Sequence, residues 1–176
     1  MTGIIKMLSF IIYILLMQVS FASEINPKLE KCFIDASQKY QIPKEVLIAI
    51  AGVESKYNAS AINKNKNGSY DLGIMQINSS WLVRLNHMGI TERSLYQPCQ
   101  NIMVGAWILA QNINTYGFNW IAIQRYNGSD TQLKYAQKVR QQLEILLPNL
   151  FVESDIKKNT THAKSAESKH MFLYVN

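Results

Sequence analysis

The chain has 176 residues, of which 48% are hydrophobic and 17% charged, with a formal net charge of +6. This length fits one compact domain with a core of its own, and the composition excludes a disordered chain, a collagen-like repeat and a small disulfide scaffold. The sequence pI of about 9.3 favours a polyanionic partner, but charge alone does not choose between nucleic acid, anionic lipid and the bacterial cell wall.

The first 22 residues have the composition of a secretory signal peptide. Lys6 is followed by an apolar run from Met7 to Val19, and Ser20-Phe21-Ala22 places small residues at −3 and −1 of a cut after Ala22. The alternative is an uncleaved membrane anchor, for which the run is short of the ~20 residues that a span needs. We therefore predict that residues 1–22 are removed and that the mature chain is exported.

The only two cysteines, Cys32 and Cys99, both lie in the predicted mature chain. A lone pair in an oxidising compartment usually forms one disulfide. The alternative is a reactive thiol, which needs a nearby base, and the histidines at 87, 162 and 170 give no such spacing. We predict a Cys32–Cys99 disulfide.

The first half of the mature chain predicts two helices and a short extended segment. Asn26-Pro27 opens a helix with one apolar face, and Pro43 opens a second, Lys44–Ser55, which has no polar side chain between Val46 and Val53. Residues 63–68 are polar and turn-forming and predict a loop. Residues 70–78 predict an extended or hairpin-like segment.

The second half predicts three more helices and a tail. A long apolar helix begins at Pro98 and ends at Tyr116-Gly117, a short one covers Trp120 to Tyr126, and another runs from about Asp130 to Leu147. Residues 151–176 are rich in polar and charged residues and predict a disordered tail. The globular domain is therefore expected at residues 23–150.

Glu54 is the candidate catalytic residue. Its neighbours on the same helix face are Leu47, Ile50 and Ala51, so the carboxylate is partly desolvated, and the negative end of the helix dipole is close by. Both effects raise the pKa, as a general acid for glycosidic cleavage requires. The alternative is a helix-terminal glutamate that simply reaches water.

Further blocks follow Glu54 in a specific order, and together with it they resemble the lysozyme-like soluble lytic transglycosylases. The likeness covers roughly residues 30–140 and is greatest to the small members associated with type III and type IV secretion and conjugative pili. The matching blocks are Ala49-Ile50-Ala51-Gly52-Val53-Glu54-Ser55, the segment from Asn67 to Asn78, Gly105-Ala106-Trp107-Ile108-Leu109 and Tyr126-Asn127.

The resemblance implies a mostly α, lysozyme-like (α+β) single domain in which a short β/loop segment forms one wall of a saccharide groove. Glu54 would be the catalytic acid, and Ser55 would steady the acid or the substrate. Met75 and Gln76 would contact the N-acetyl group and ring of a sugar, with Tyr126 and Asn127 on the opposite wall. The small members also carry the early cysteine and the Pro98-Cys99 pair.

The implied reaction cleaves the β-1,4 bond between N-acetylmuramic acid and N-acetylglucosamine and leaves a 1,6-anhydro end. Two interpretations of Asp71 stay open, a catalytic second carboxylate and a turn residue that bonds nearby backbone. If Asp71 directs water, the protein is a muramidase that releases reducing ends. A third possibility is a non-catalytic peptidoglycan-binding assembly module.

The partners implied are peptidoglycan and components of a secretion or pilus assembly, for a periplasmic monomer. We expect no cofactor, because residues 63–74 depart from a calcium loop at the position of the bidentate glutamate and no zinc spacing occurs. The sequence contains no nucleic-acid-binding motif.

One departure from the family is that Gln124-Arg125, rather than small residues, precede the pair Tyr126-Asn127. We expect these two to narrow the groove or to contact an anionic peptide stem.

Overall fold

In a computed structural model, which describes residues 25–128 and 132–148, the chain forms helices around a small antiparallel sheet. The mostly α, lysozyme-like fold class predicted from the sequence is confirmed. The helices are α1 (Pro27–Tyr40), α2 (Lys44–Ser55), α3 (Leu82–His87), α4 (Pro98–Tyr116), α5 (Trp120–Tyr126) and α6 (Lys134–Leu146). The strands are β1 (Ile62–Lys64), β2 (Tyr70–Leu72) and β3 (Ile77–Asn78).

The helix ends follow from local chemistry that the sequence shows. The Asn26 side chain accepts a hydrogen bond from the Lys28 N–H at 2.9 Å, which satisfies one of the free amides at the start of α1. Proline is the first residue of α1 and of α4, where its missing N–H costs nothing. Gly117, at φ +81°, ends α4. These predicted bounds are confirmed.

The sheet has the order β1-β2-β3, and both pairs are antiparallel. The hairpin predicted for residues 70–78 is confirmed as β2, a turn and β3. The loop predicted for residues 63–68 is wrong at its start, because Asn63 and Lys64 pair with β2. The register puts Asn63, Asp71 and Asn78 in one row across the three strands.

Helix α4 packs against α1 and α5, and α2 packs against α6. The predicted disulfide is confirmed between Cys32 on α1 and Cys99 at the start of α4, with the two Cα atoms 4.9 Å apart. The core is aliphatic and comes from every layer of the fold. Its largest fully buried side chains include Phe33, Leu47, Ile50, Leu72, Ile74, Met75, Ile102 and Leu109.

Four features differ from the sequence-based prediction or extend it. Helix α6 begins at Lys134, later than predicted, because Leu133 before it has a left-handed backbone (φ +48°). The short helix α3 and two 3₁₀ turns, Ser79–Trp81 and Glu92–Tyr96, were not predicted.

The predicted signal peptide, the tail and Asp130 lie outside the described residues. Within the described residues, no helix has both the length and the apolar composition needed to cross a membrane.

Candidate active site

The candidate acid, Glu54, lies in the last turn of α2. The helix ends one residue later, at Ser55, because Lys56 adopts a left-handed backbone with φ +52°. The Glu54 side chain is partly buried, and its Oε1 accepts a hydrogen bond from the Tyr135 hydroxyl of α6 at 2.6 Å. The Tyr135 side chain is itself buried, with 6% of its surface exposed.

Burial raises the pKa of Glu54 to about 7, from an ordinary value of 4.5. Desolvation of the carboxylate is the main cause, and the negative charge of Asp71 adds to it. The hydrogen bond from Tyr135 and the positive charge of Lys138 act in the opposite direction. Glu54 therefore exchanges a proton near neutral pH, the range in which one carboxyl can serve as both acid and base.

The turn between β2 and β3 is held by Asn101 of α4, which is 1% exposed. Its Oδ1 accepts from the Met75 N–H at 2.8 Å, and its Nδ2 donates to the carbonyls of Leu72 (2.9 Å) and Leu95 (2.8 Å). Gly73 leaves room for this amide, since a Cβ there would lie 2.3 Å from Nδ2. One buried side chain thus satisfies three backbone groups of the site.

Tyr126 of α5 joins this turn to α6. Its hydroxyl donates to the Met75 carbonyl at 2.9 Å, and its ring stacks on Tyr135 with centroids 6.4 Å apart. A Cβ on Gly105 would come within 2.9 Å of both the Met75 side chain and the Tyr126 hydroxyl, so this contact needs glycine on α4. The structure therefore brings Tyr126, the Met75 turn and Glu54 together.

The Met75 side chain differs from expectation because it has no exposed surface. In this structure it packs against α4 and has no surface with which to contact a sugar, although its backbone belongs to the site.

The other predicted sugar-binding residues lie around the same turn. The Ser55 hydroxyl donates to the Ile74 carbonyl at 2.8 Å, so it joins α2 to the turn rather than to Glu54. Gln76 has φ +48°, an uncommon backbone for a non-glycine residue, and its Nε2 donates to the Gly73 carbonyl at 2.8 Å. Asn127 is exposed at the end of α5.

Asp71 on β2 is surrounded by asparagine side chains. Its Oδ2 accepts from Asn63 (3.1 Å) and Asn65 (3.0 Å), and its Oδ1 accepts from Asn78 (2.6 Å). This network ties the three strands together and engages both carboxylate oxygens. Asp71 is close enough for its negative charge to raise the pKa of Glu54. It also has a structural role, because it joins the three strands.

Sequence reasoning missed two residues of the site, Tyr135 and Asn101. Asn101 had only a weak signal, since it directly precedes the apolar run of α4 but the same helix carries other polar residues, such as Gln100 and Asn112. Tyr135 had none, because its contact with Glu54 joins residues 81 positions apart.

The expectation for Gln124 is not met, whereas that for Arg125 stays a prediction. Gln124 is 3% exposed and accepts hydrogen bonds from α6, so it does not narrow a groove. The Arg125 guanidinium lies 5.2 Å from the centre of the Tyr116 ring.

No group of three His, Cys, Asp or Glu side chains that could hold a metal ion occurs among residues 25–128 and 132–148. Two cavities, of about 620 and 280 Å³, are lined by parts of α1, α3 and α4, and neither is lined by Glu54 or its partners.

Comparison with known families fits this arrangement. The model of the transglycosylase SLT domain matches residues 31–147, which include Glu54, the turn, Tyr126 and Tyr135. The chain belongs to this family. The SLT domain thus covers nearly the whole described structure.

Several relatives of this SLT domain protein share most of its length. The invasion protein IagB of Salmonella typhi is 43% identical over 122 residues, which cover 65% of this chain and 76% of IagB. Protein IpgF of Shigella flexneri is 36% identical over 129 residues, 73% of this chain and 85% of IpgF. A peptidoglycan-binding-like protein of Escherichia coli O157:H7 is 35% identical over 144 residues, 74% and 83% of the two chains.

Proposed function

We propose that this SLT domain protein is a peptidoglycan lytic transglycosylase with Glu54 as its acid and base. The reaction cleaves the β-1,4 bond between N-acetylmuramic acid and N-acetylglucosamine and leaves a 1,6-anhydro end. The observation that carries the proposal is the partly buried Glu54 carboxyl, whose pKa is raised to about 7. At neutral pH this group can both give up and regain one proton.

In the first step, the protonated Glu54 gives its proton to the glycosidic oxygen as the C1–O bond of the muramoyl residue breaks. The positive charge that develops at C1 is stabilised by the 2-acetamido group of the same sugar, so that no second protein carboxylate has to act. Glu54, now a carboxylate, takes the proton of the C6 hydroxyl. The C6 oxygen bonds to C1 and closes the anhydro ring, and no water is consumed.

The surrounding residues have supporting roles in this proposal. Tyr135 orients the Glu54 carboxyl, and the Tyr126 and Ser55 contacts hold the turn against α2 and α5. Gln76 and Asn127 are proposed to contact the glycan. Asp71 holds the sheet, because its oxygens accept hydrogen bonds from three asparagines. Its negative charge also raises the pKa of Glu54.

The proposed biological role is local opening of the cell wall for a secretion or conjugative pilus apparatus, with components of that assembly as partners. The similarity to a protein named as an invasion protein and to another named as peptidoglycan-binding-like supports it. The proposal includes export as a monomer to the periplasm after removal of residues 1–22, with residues 23–150 as the catalytic domain and 151–176 as a tail.

The test is mass spectrometry of the muropeptides that the protein releases from purified sacculi. We expect products with 1,6-anhydro ends, which are one water lighter than reducing ends, and no release by Glu54→Gln. Glu45→Gln, which removes a carboxyl from the other end of α2, is the matched control and should keep full activity.

Other outcomes point to the alternative functions. Reducing ends would indicate a muramidase that uses Asp71 to direct water. Binding to sacculi without any release would indicate the non-catalytic assembly module. Full release by Glu54→Gln would refute the assignment of the acid.

A further inference from the structure

Gln124 makes an unusual contact near the end of α5. Its side chain is almost completely buried, with 3% exposed, and its Oε1 accepts hydrogen bonds from the backbone N–H groups of Tyr135 and Ala136, each at 3.0 Å. These are the second and third residues of α6. Gln124 therefore caps a helix to which it does not belong.

Helix α6 needs this cap because Leu133, the residue directly before it, supplies none. The first amides of a helix have no partner within the helix, and a Ser, Thr, Asp or Asn side chain usually accepts from them. Here the position before the helix is Leu133, which makes no side-chain cap. Without Gln124, two buried N–H groups would lose their acceptor.

The capped residue is also the one that contacts the acid. The Tyr135 backbone N–H bonds to Gln124, and its hydroxyl donates to Glu54 at 2.6 Å. The ring between these two ends stacks on Tyr126. Gln124 holds the backbone of Tyr135 in place, and from there the Tyr135 hydroxyl donates to the Glu54 carboxyl. The hydrogen bond from Tyr135 to Glu54 is one of the contacts that favour the charged form of Glu54.

We propose that Gln124 is a positioning residue for the reaction, acting on Glu54 through Tyr135. The proposal rests on the proposed function, in which Glu54 is the acid.

The test compares the full-length protein with Gln124→Met, Tyr135→Phe and the double variant. Methionine keeps the length of the side chain and replaces the amide oxygen by a weak acceptor. Two quantities are measured in each protein, the pKa of Glu54 from carboxyl ¹³C NMR and the kinetics of release from soluble glycan strands. The NMR titration does not depend on activity.

We expect Gln124→Met to raise the pKa of Glu54, in the same direction as Tyr135→Phe. We also expect kcat to fall by about tenfold with little change in KM, since an orienting contact acts on the chemical step. In the Tyr135→Phe background, Gln124→Met should no longer move the pKa, because the contact through which it acts is gone.

Two further variants separate positioning from stability. Asn26→Ala removes the cap of α1, far from Glu54 in the chain, and should lower the unfolding temperature without changing the pKa of Glu54. Gln124→Glu keeps an acceptor oxygen and should retain kcat within about threefold. If Gln124→Met fails to fold, Gln124→Glu provides the test. A folded Gln124→Glu protein whose kcat is as low as that of Tyr135→Phe overturns the proposal.

If Gln124→Met leaves the pKa of Glu54 and kcat unchanged, the proposal is also overturned, and Gln124 is then only a structural cap of α6. If the wild-type protein releases nothing from glycan, the proposed function fails instead. The NMR titration would still report whether Gln124 and Glu54 are coupled.

Discussion

Replacing Glu54 by glutamine should stabilise the protein, and the gain should depend on pH. The pKa of Glu54 is about 7 in the folded protein, against 4.5 as its ordinary value. Between these two pH values the folded state holds the proton more tightly than the unfolded chain does. The free energy of unfolding therefore falls as the pH rises through this window, and the loss is complete above pH 7.

The size of the effect follows from the pKa difference. One pKa unit corresponds to about 1.4 kcal/mol, so ionised Glu54 destabilises the fold by about 3 kcal/mol at pH 8. Glutamine has no charge to desolvate and can still accept the hydrogen bond of Tyr135. Glu54→Gln should thus gain about 3 kcal/mol at pH 8, or roughly 10 °C in the unfolding temperature. At pH 4, where both states are protonated, it should gain almost nothing.

The assay is thermal or urea unfolding of both proteins at several pH values between 4 and 8. Glu45→Gln is the control, because a carboxylate in the first turn of a helix is favoured by the helix dipole and its loss should cost a few tenths of a kcal/mol. A stability gain for Glu54→Gln that is the same at pH 4 and pH 8 would refute the reasoning. So would no gain at all.

The remaining predictions concern the contacts around Glu54. Tyr135→Phe removes a hydrogen bond that favours the carboxylate, so the basic limb of the pH–activity profile should move to higher pH; a move to lower pH would contradict the assignment. Gly105→Ala places a Cβ 2.9 Å from the Met75 side chain and should cost about 1–3 kcal/mol in urea unfolding and lower the activity. Asn101→Ala leaves three buried backbone groups without their partner and should cost about 2–4 kcal/mol; unchanged stability would mean that water replaces the amide.

Helix ends and the hairpin could be predicted because their causes are local. Asn26, the prolines at the helix starts and Gly117 act on residues within one turn of themselves. The start of α6 could not be predicted, because its cap comes from Gln124 on another helix rather than from a neighbouring residue. A cap of this kind leaves no pattern in the local sequence.

The same distinction applies to the site. Glu54 could be identified from its apolar helix face and the blocks that follow it. Its contact with Tyr135 depends on how α2 and α6 pack, which no spacing in the sequence encodes. The burial of Met75 is likewise set by its fit against Gly105.

The distance along the chain between Glu54 and Tyr135 also determines when the site comes into being. Tyr135 follows Glu54 by 81 residues, and α6 is the last helix of the described structure in chain order. Until that helix has packed on α2, Glu54 lacks its hydrogen bond from Tyr135 and the contacts that α6 makes around it. A partly folded chain therefore lacks the arrangement described here, which is complete only once the last helix is in place.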